Sequence, residues 1–137
     1  ESEARWTIDQ VRTAEEMADD ESYRAWVAGG CVDVCPNGEG IPDFAKRTSA
    51  AFAACVADAI ARRETRIGVA AHGGVIMAIM TAFSGSGAPY HTWYIRNCSG
   101  YEITIDETLW AQKRQFHSYS LFGEQGKDNY SLGENVK

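Results

Sequence analysis

The chain has 137 residues, of which 45% are hydrophobic and 23% charged, values of an ordinary soluble globular protein of one domain's length. A disordered or low-complexity protein is thereby excluded for most of its length. With 13 basic against 19 acidic residues the net charge is −6, which argues against nucleic acid or an anionic membrane surface as the main partner, because both require a basic face. The longest strongly apolar run, GVIMAIMTAF, is about half of the ~20 residues that span a bilayer. Residue 1 is Glu1, the first methionine is Met17, and no basic segment followed by an apolar one opens the chain. The expectation is therefore no secretory signal, and either processing or a segment ahead of Glu1.

Thr13 and Glu16 form a capping-box pattern, so a helix is predicted to open at Thr13 and run through TAEEMADDESYRAWVA to Gly29-Gly30. The stretch CVDVCPNGEGIP is a loop by its turn chemistry. From Asp43 to Arg63 a strong helix is predicted, with Pro42 suited to its first position and Phe44, Thr48, Ala51, Phe52, Cys55, Val56, Ala59 and Ile60 on one face. Residues 66–71, RIGVAA, read as a short buried strand that breaks at His72-Gly73-Gly74. VIMAIMTAF then predicts a helix buried on most of its surface. HTWYIRN and YEITID read as two paired strands joined around Cys98-Ser99-Gly100, and WAQKRQFHSY as one more strand. The tail from Gly123 to Lys137 is polar and Gly-rich and is expected to be loose. This order gives an α/β fold, a layered sheet with flanking helices, over residues 1–122.

Cys31, Cys35, Cys55 and Cys98 are too sparse for a disulfide framework, and the one loose pair has no histidine near it to complete a zinc site. Buried or half-buried free thiols in a reducing cytoplasm are expected, with no metal and no cofactor.

The segment IGVAAHGGVIMAIM carries the most chemical information. A strand running directly into His72 and then a helix places His72 where open α/β sheets bind ligands. Gly73 and Gly74 leave bare N–H groups at a helix N-terminus, which attracts anions. A protonated imidazole beside them suits phosphate or carboxylate. The alternative is that His72 only caps the helix and the glycines only permit a tight turn. Glu39, between Gly38 and Gly40, can reach into a cleft and serve as a proton donor if partly buried, or be an ordinary solvated carboxylate. His91, His117 and the tryptophans read as ordinary strand, surface or core residues.

Taken together these segments resemble the histidine phosphatase superfamily, which contains the phosphoglycerate mutases and their phosphatase relatives. EEMADDESYRAW is similar to the helix of that family ending in Tyr-x-x-Trp. CPNGEGIPDFAKR is similar to its P-x-G-E-S segment, with Pro36, Gly38, Glu39, Phe44 and Arg47 on matching positions, and WYIRNCSGYEITID resembles its closing strands. IGVAAHGGVIMAIM resembles the strand bearing its second pocket histidine, in a form closer to the phosphatase branch than to the mutases. The resemblance implies a phosphoglycerate mutase-like fold and a phosphatase that passes through phosphohistidine. It implies Glu39 as the proton donor, His72 as the second pocket histidine and Gly73 as a phosphate-binding amide.

Three departures accompany it. No Arg-His-Gly, the nucleophile motif of the family, occurs in these residues; no second pocket arginine is identifiable; and Gly40 stands where serine is usual. The expectation is the later part of such a domain, inactive by itself, whose nucleophile segment precedes residue 1. Its partners would be a small phosphorylated substrate and either a second copy or a missing or swapped N-terminal segment, covering an edge left open along Arg66–Ala71. The other readings are a non-catalytic anion-binding or assembly module, and an unrelated α/β domain with a coincidental HGG.

Overall fold

The computed structural model describes residues 15–30, 33–34 and 38–123. Thr13, Cys31, Cys35 and all but the first residue of the predicted tail lie outside them. Two compact units divide the chain, residues 1–41 with 136–137 and residues 42–135.

In the first unit, helix α1 spans Glu21–Ala28 and not the longer stretch from Thr13. Residues 15–19 form turns. Asp20 takes an extended backbone as N-cap, and its Oδ1 accepts from the Tyr23 N–H at 3.0 Å. An aspartate satisfies an orphan amide best from just outside a helix, so Asp20 sets the start where the capping-box pattern at Thr13 placed it earlier. Gly29 caps the C-terminus, as expected. Tyr23 and Trp26, three residues apart, hold their rings 6.0 Å from one another. The Trp26 indole donates to the Asp33 carbonyl at 2.8 Å, fixing the departure of the loop that follows.

The second unit is built around α2 (Ile41–Ala61), whose Thr48, Phe52, Val56 and Ala59 are buried. These four lie on one stripe at helical spacing. Ala51 and Cys55, expected on that face, are exposed beside it. Helix α3 (Gly73–Phe83) buries Ala78, Ile79, Met80 and Phe83. Its N-terminal half, Gly74 to Met77, is only half-buried, so less of this helix is covered than its composition predicts. A 3-10 helix follows at Tyr90–Trp93, then strand β1 (Gly100–Thr104), helix α4 (Glu107–Lys113) and strand β2 (Ser118–Phe122).

The sheet is a two-stranded antiparallel ribbon in which Gly100 faces Phe122 and Thr104 faces Ser118. This pairing corrects two expectations. HTWYIRN is not the partner of YEITID: it begins as a 3-10 turn, with buried Trp93 and Ile95 alternating with exposed Tyr94. WAQKRQFHSY is not one strand, because Asp106 accepts from the Leu109 N–H at 2.8 Å and starts a helix there. Arg114, in the left-handed region at φ 50°, ends that helix. The chain then returns with the Phe116 N–H bonded to the Phe83 carbonyl at 2.8 Å and the His117 N–H to the Thr104 carbonyl at 2.9 Å.

An aromatic cluster holds this unit together. Phe83 and Trp110 lie 4.9 Å apart, Trp110 and Phe116 stack at 6.0 Å, and Phe52 meets Phe83 at 5.7 Å. Each such pair contributes roughly 0.5–1.5 kcal/mol beyond area burial. By contrast the Arg62–Asp58 pair on α2 is exposed, and an exposed i, i+4 pair contributes only about 0.3–0.5 kcal/mol.

Residues 66–72 carry no strand and are exposed throughout, Ile67 at 44% and Val69 at 51%. The predicted buried strand is therefore corrected. A strand needs a neighbour to take its N–H and C=O groups, and among the described residues none lies beside this segment. The four helices and small antiparallel sheet of the described residues nevertheless accord with an α/β, phosphoglycerate mutase-like fold. No helix of the described residues is long and apolar enough to cross a membrane. Cys55 and Cys98 are free, as expected, but exposed.

Candidate functional site

His72 is the N-cap of α3, with extended backbone at φ −69° and ψ 153°. The cap is made by its carbonyl, which accepts from the Val75 and Ile76 N–H groups at 3.0 and 3.2 Å. Its side chain makes no capping hydrogen bond, so the imidazole is not consumed by the local structure. His72 and Gly73 are both exposed. The Gly73 and Gly74 N–H groups precede the first bonds of the helix. They point along the axis from the positive end of an 11-residue helix. A Cβ added at Gly73 would meet nothing within 4 Å, so this glycine is not packed against a neighbour. The local arrangement is thus an exposed imidazole beside unpaired donors, able to take phosphoryl or carboxylate oxygens.

Gly74 is different. A Cβ there would come 3.2 Å from the Tyr90 Oη and 3.7 Å from the Phe44 Cζ. The Tyr90 hydroxyl donates to the Gly74 carbonyl at 3.0 Å, and burial pushes its pKa up, which keeps it a donor through neutral pH and beyond. Phe44 of α2 and Tyr90 of the 3-10 helix thereby flank the first turn of α3. Phe44 was legible as a helix-face position but Tyr90 was not, since a contact across 16 positions between a loop tyrosine and a glycine leaves no periodic trace. Arg47 rests its guanidinium 5.5 Å from the centre of the Phe44 ring.

Glu39 is exposed and belongs to the unit of residues 1–41. Gly40 beside it is buried. A Cβ at this position would approach the Val34 Cγ2 to 3.2 Å and its Cα to 3.4 Å. The close passage of Val34 accounts for glycine where the resembling family usually has serine. An open depression on α1, bounded by Asp19, Glu21, Arg24, Ala25 and Ala28, lies away in sequence from every candidate residue. No group of three metal-ligating side chains occurs among the described residues.

The sequence model of the histidine phosphatase superfamily (branch 1) matches residues 2–117. The chain belongs to that superfamily. The match includes Glu39, His72 and Gly73 and ends just short of β2. No curated protein and no solved structure matches the chain. Membership of the histidine phosphatase superfamily, which includes both phosphatases and mutases, supports phosphatase- or mutase-type chemistry in general. It also removes the reading of HGG as a coincidence in an unrelated α/β domain.

Proposed function

We propose that the intact protein is a phosphatase that hydrolyses a small phosphate monoester through a phosphohistidine. The observation that carries this reading is the exposed imidazole of His72 beside the unpaired Gly73 amide at the start of α3, in a chain of this superfamily. A histidine supplied from outside residues 1–137 attacks phosphorus, forming an N–P bond as the ester P–O bond breaks. Glu39, exposed here, takes its role from the family resemblance alone: it gives its proton to the departing oxygen. Water then attacks the phosphohistidine, Glu39 takes back a proton, and the N–P bond breaks to release phosphate. The His72 imidazole and the Gly73 N–H hold the phosphoryl oxygens and oppose the charge that spreads over them in transfer.

The acidic net charge of −6 offers no long-range attraction for a phosphate ester, so capture falls to these local donors. The exposed thiols of Cys55 and Cys98 fit a reducing, cytoplasmic setting. The exposed segment 66–72, with Ile67 and Val69 in solvent, fits a partner there, either a preceding segment or a second copy. A clean monomer of residues 1–137 in sedimentation would rule out the second copy.

Turnover of an aryl phosphate by the longest natural form tests the reading. His72→Ala is expected to abolish it, and Glu39→Gln to slow poor alkyl leaving groups far more than nitrophenol. A second reading, a non-catalytic anion-binding or assembly module, is favoured by the lack of any Arg-His-Gly in residues 1–137. It predicts phosphate binding with no turnover in any natural form, and turnover lost on His72→Ala rules it out.

A further inference from the structure

We infer that Tyr90 is a positioning residue for the anion pocket, acting on the first turn of α3 rather than on the ligand. The inference rests on the reading of His72 and Gly73 as phosphate donors. Two adjacent glycines at a helix start give the chain more freedom to lose than any other pair, and first turns fray. The amides that face an incoming anion would therefore wander in the free protein unless something outside the helix held them. Tyr90 supplies that hold: its hydroxyl donates to the Gly74 carbonyl at 3.0 Å. The space beside Gly74 is closed by Tyr90 Oη at 3.2 Å and Phe44 Cζ at 3.7 Å, whereas that beside Gly73 is open.

The asymmetry sorts the two glycines. Gly74 is the anchored one, fitted against a phenol and a phenyl ring, and Gly73 is the one presented to solvent. The Tyr90 ring also meets the ring of its exposed chain neighbour His91 edge-on at 5.1 Å, at the start of the 3-10 helix. The Gly74 carbonyl shares a peptide plane with the Val75 N–H, which bonds the His72 carbonyl at 3.0 Å, and that carbonyl shares a plane with the Gly73 N–H, so the hold reaches the amide through one hydrogen bond. The entropic cost of ordering these donors is then met before the anion arrives, which is how preorganisation raises affinity.

Tyr90→Phe keeps the ring and removes only the donor. The probe is inorganic phosphate, titrated into the 137-residue chain and followed at the Gly73 amide and the His72 ring by NMR. Asp106→Ala, which removes the cap of α4, serves as a variant of comparable instability remote from α3 in sequence. The expected result is a dissociation constant for phosphate raised about three- to ten-fold by Tyr90→Phe, the worth of one hydrogen bond, and unchanged by Asp106→Ala. Amide exchange in the first turn of α3 should quicken by a similar factor in Tyr90→Phe alone. Phosphate affinity equal to that of the unsubstituted chain overturns the positioning role and leaves the anion reading standing. Equal losses in both variants also overturn it, since the effect would then be general instability. If phosphate moves neither the Gly73 amide nor the His72 ring of the unsubstituted chain in a saturable way, the anion reading fails and the role of Tyr90 falls with it.

Discussion

Alanine at Gly73 should stabilise the fold and alanine at Gly74 should not, although the residues are neighbours. Neither glycine has a positive φ, so alanine can adopt both backbones. Each substitution gains about 0.4–1 kcal/mol by restricting the unfolded chain. At Gly73 a Cβ meets nothing within 4 Å, and that gain is kept whole. At Gly74 the new methyl comes 3.2 Å from the Tyr90 Oη and pushes it off the carbonyl it bonds at 3.0 Å. Loss of that bond costs about 0.5–1.5 kcal/mol, which cancels or exceeds the gain. The two variants should therefore differ by about 1 kcal/mol, Gly73→Ala being the more stable. Urea unfolding followed by circular dichroism measures this as a separation of midpoints with equal slopes. Equal stabilisation by both would mean that Tyr90 yields freely, and would refute the picture of an anchored first turn.

Further outcomes follow from the core, the phenols and the thiols. Trp110→Ala, which empties the centre of the cluster with Phe52, Phe83 and Phe116, should cost about 3–5 kcal/mol in chemical denaturation. Burial raises the pKa of Tyr90, and burial followed by the charge of Tyr119 raises that of Tyr101. The unfolded chain then ionises first, near the ordinary value of about 10. The contribution of these phenols to stability is intact below that pH and is lost as pH rises through the raised folded values. Denaturation midpoints measured from pH 9 upward should fall, and Tyr90→Phe with Tyr101→Phe should flatten the fall. Cys55 and Cys98 are exposed, so both should react with a thiol reagent in the folded chain without denaturant, as counted by peptide mass analysis.

What the sequence disclosed depended on how local the cause was. The stripe Thr48, Phe52, Val56 and Ala59 was readable because helical burial repeats every three or four residues. The start of α3 at Gly73 was readable because glycines after a β-rich run break it sharply. The start of α1 was misplaced because Thr13 and Asp20 both offer capping chemistry, and it is Asp20 that accepts from the Tyr23 N–H. Residues 110–119 were misread because their aromatic and β-prone composition hid a short helix that Asp106 caps at one end and Arg114 closes at the other. Residues 66–71 have the composition of a strand, but pairing belongs to the neighbour as much as to the segment. His72, Gly73 and Glu39 were singled out by residue type and order. Tyr90 was not, and the contact of Tyr90 and Phe44 with Gly74 exists only after α2, α3 and the 3-10 helix have packed.

The central claim is phosphoryl transfer through a histidine that is not His72, with His72 serving as a donor to the transferring group. The most direct test is to mix the longest natural form with a 32P-labelled aryl phosphate, quench in alkali, and map the label on the protein. Phosphate is expected on histidine, stable in alkali and released by acid, on a residue other than His72, His91 and His117, the three histidines of this chain. Label on His72, or turnover that survives His72→Ala, would contradict it.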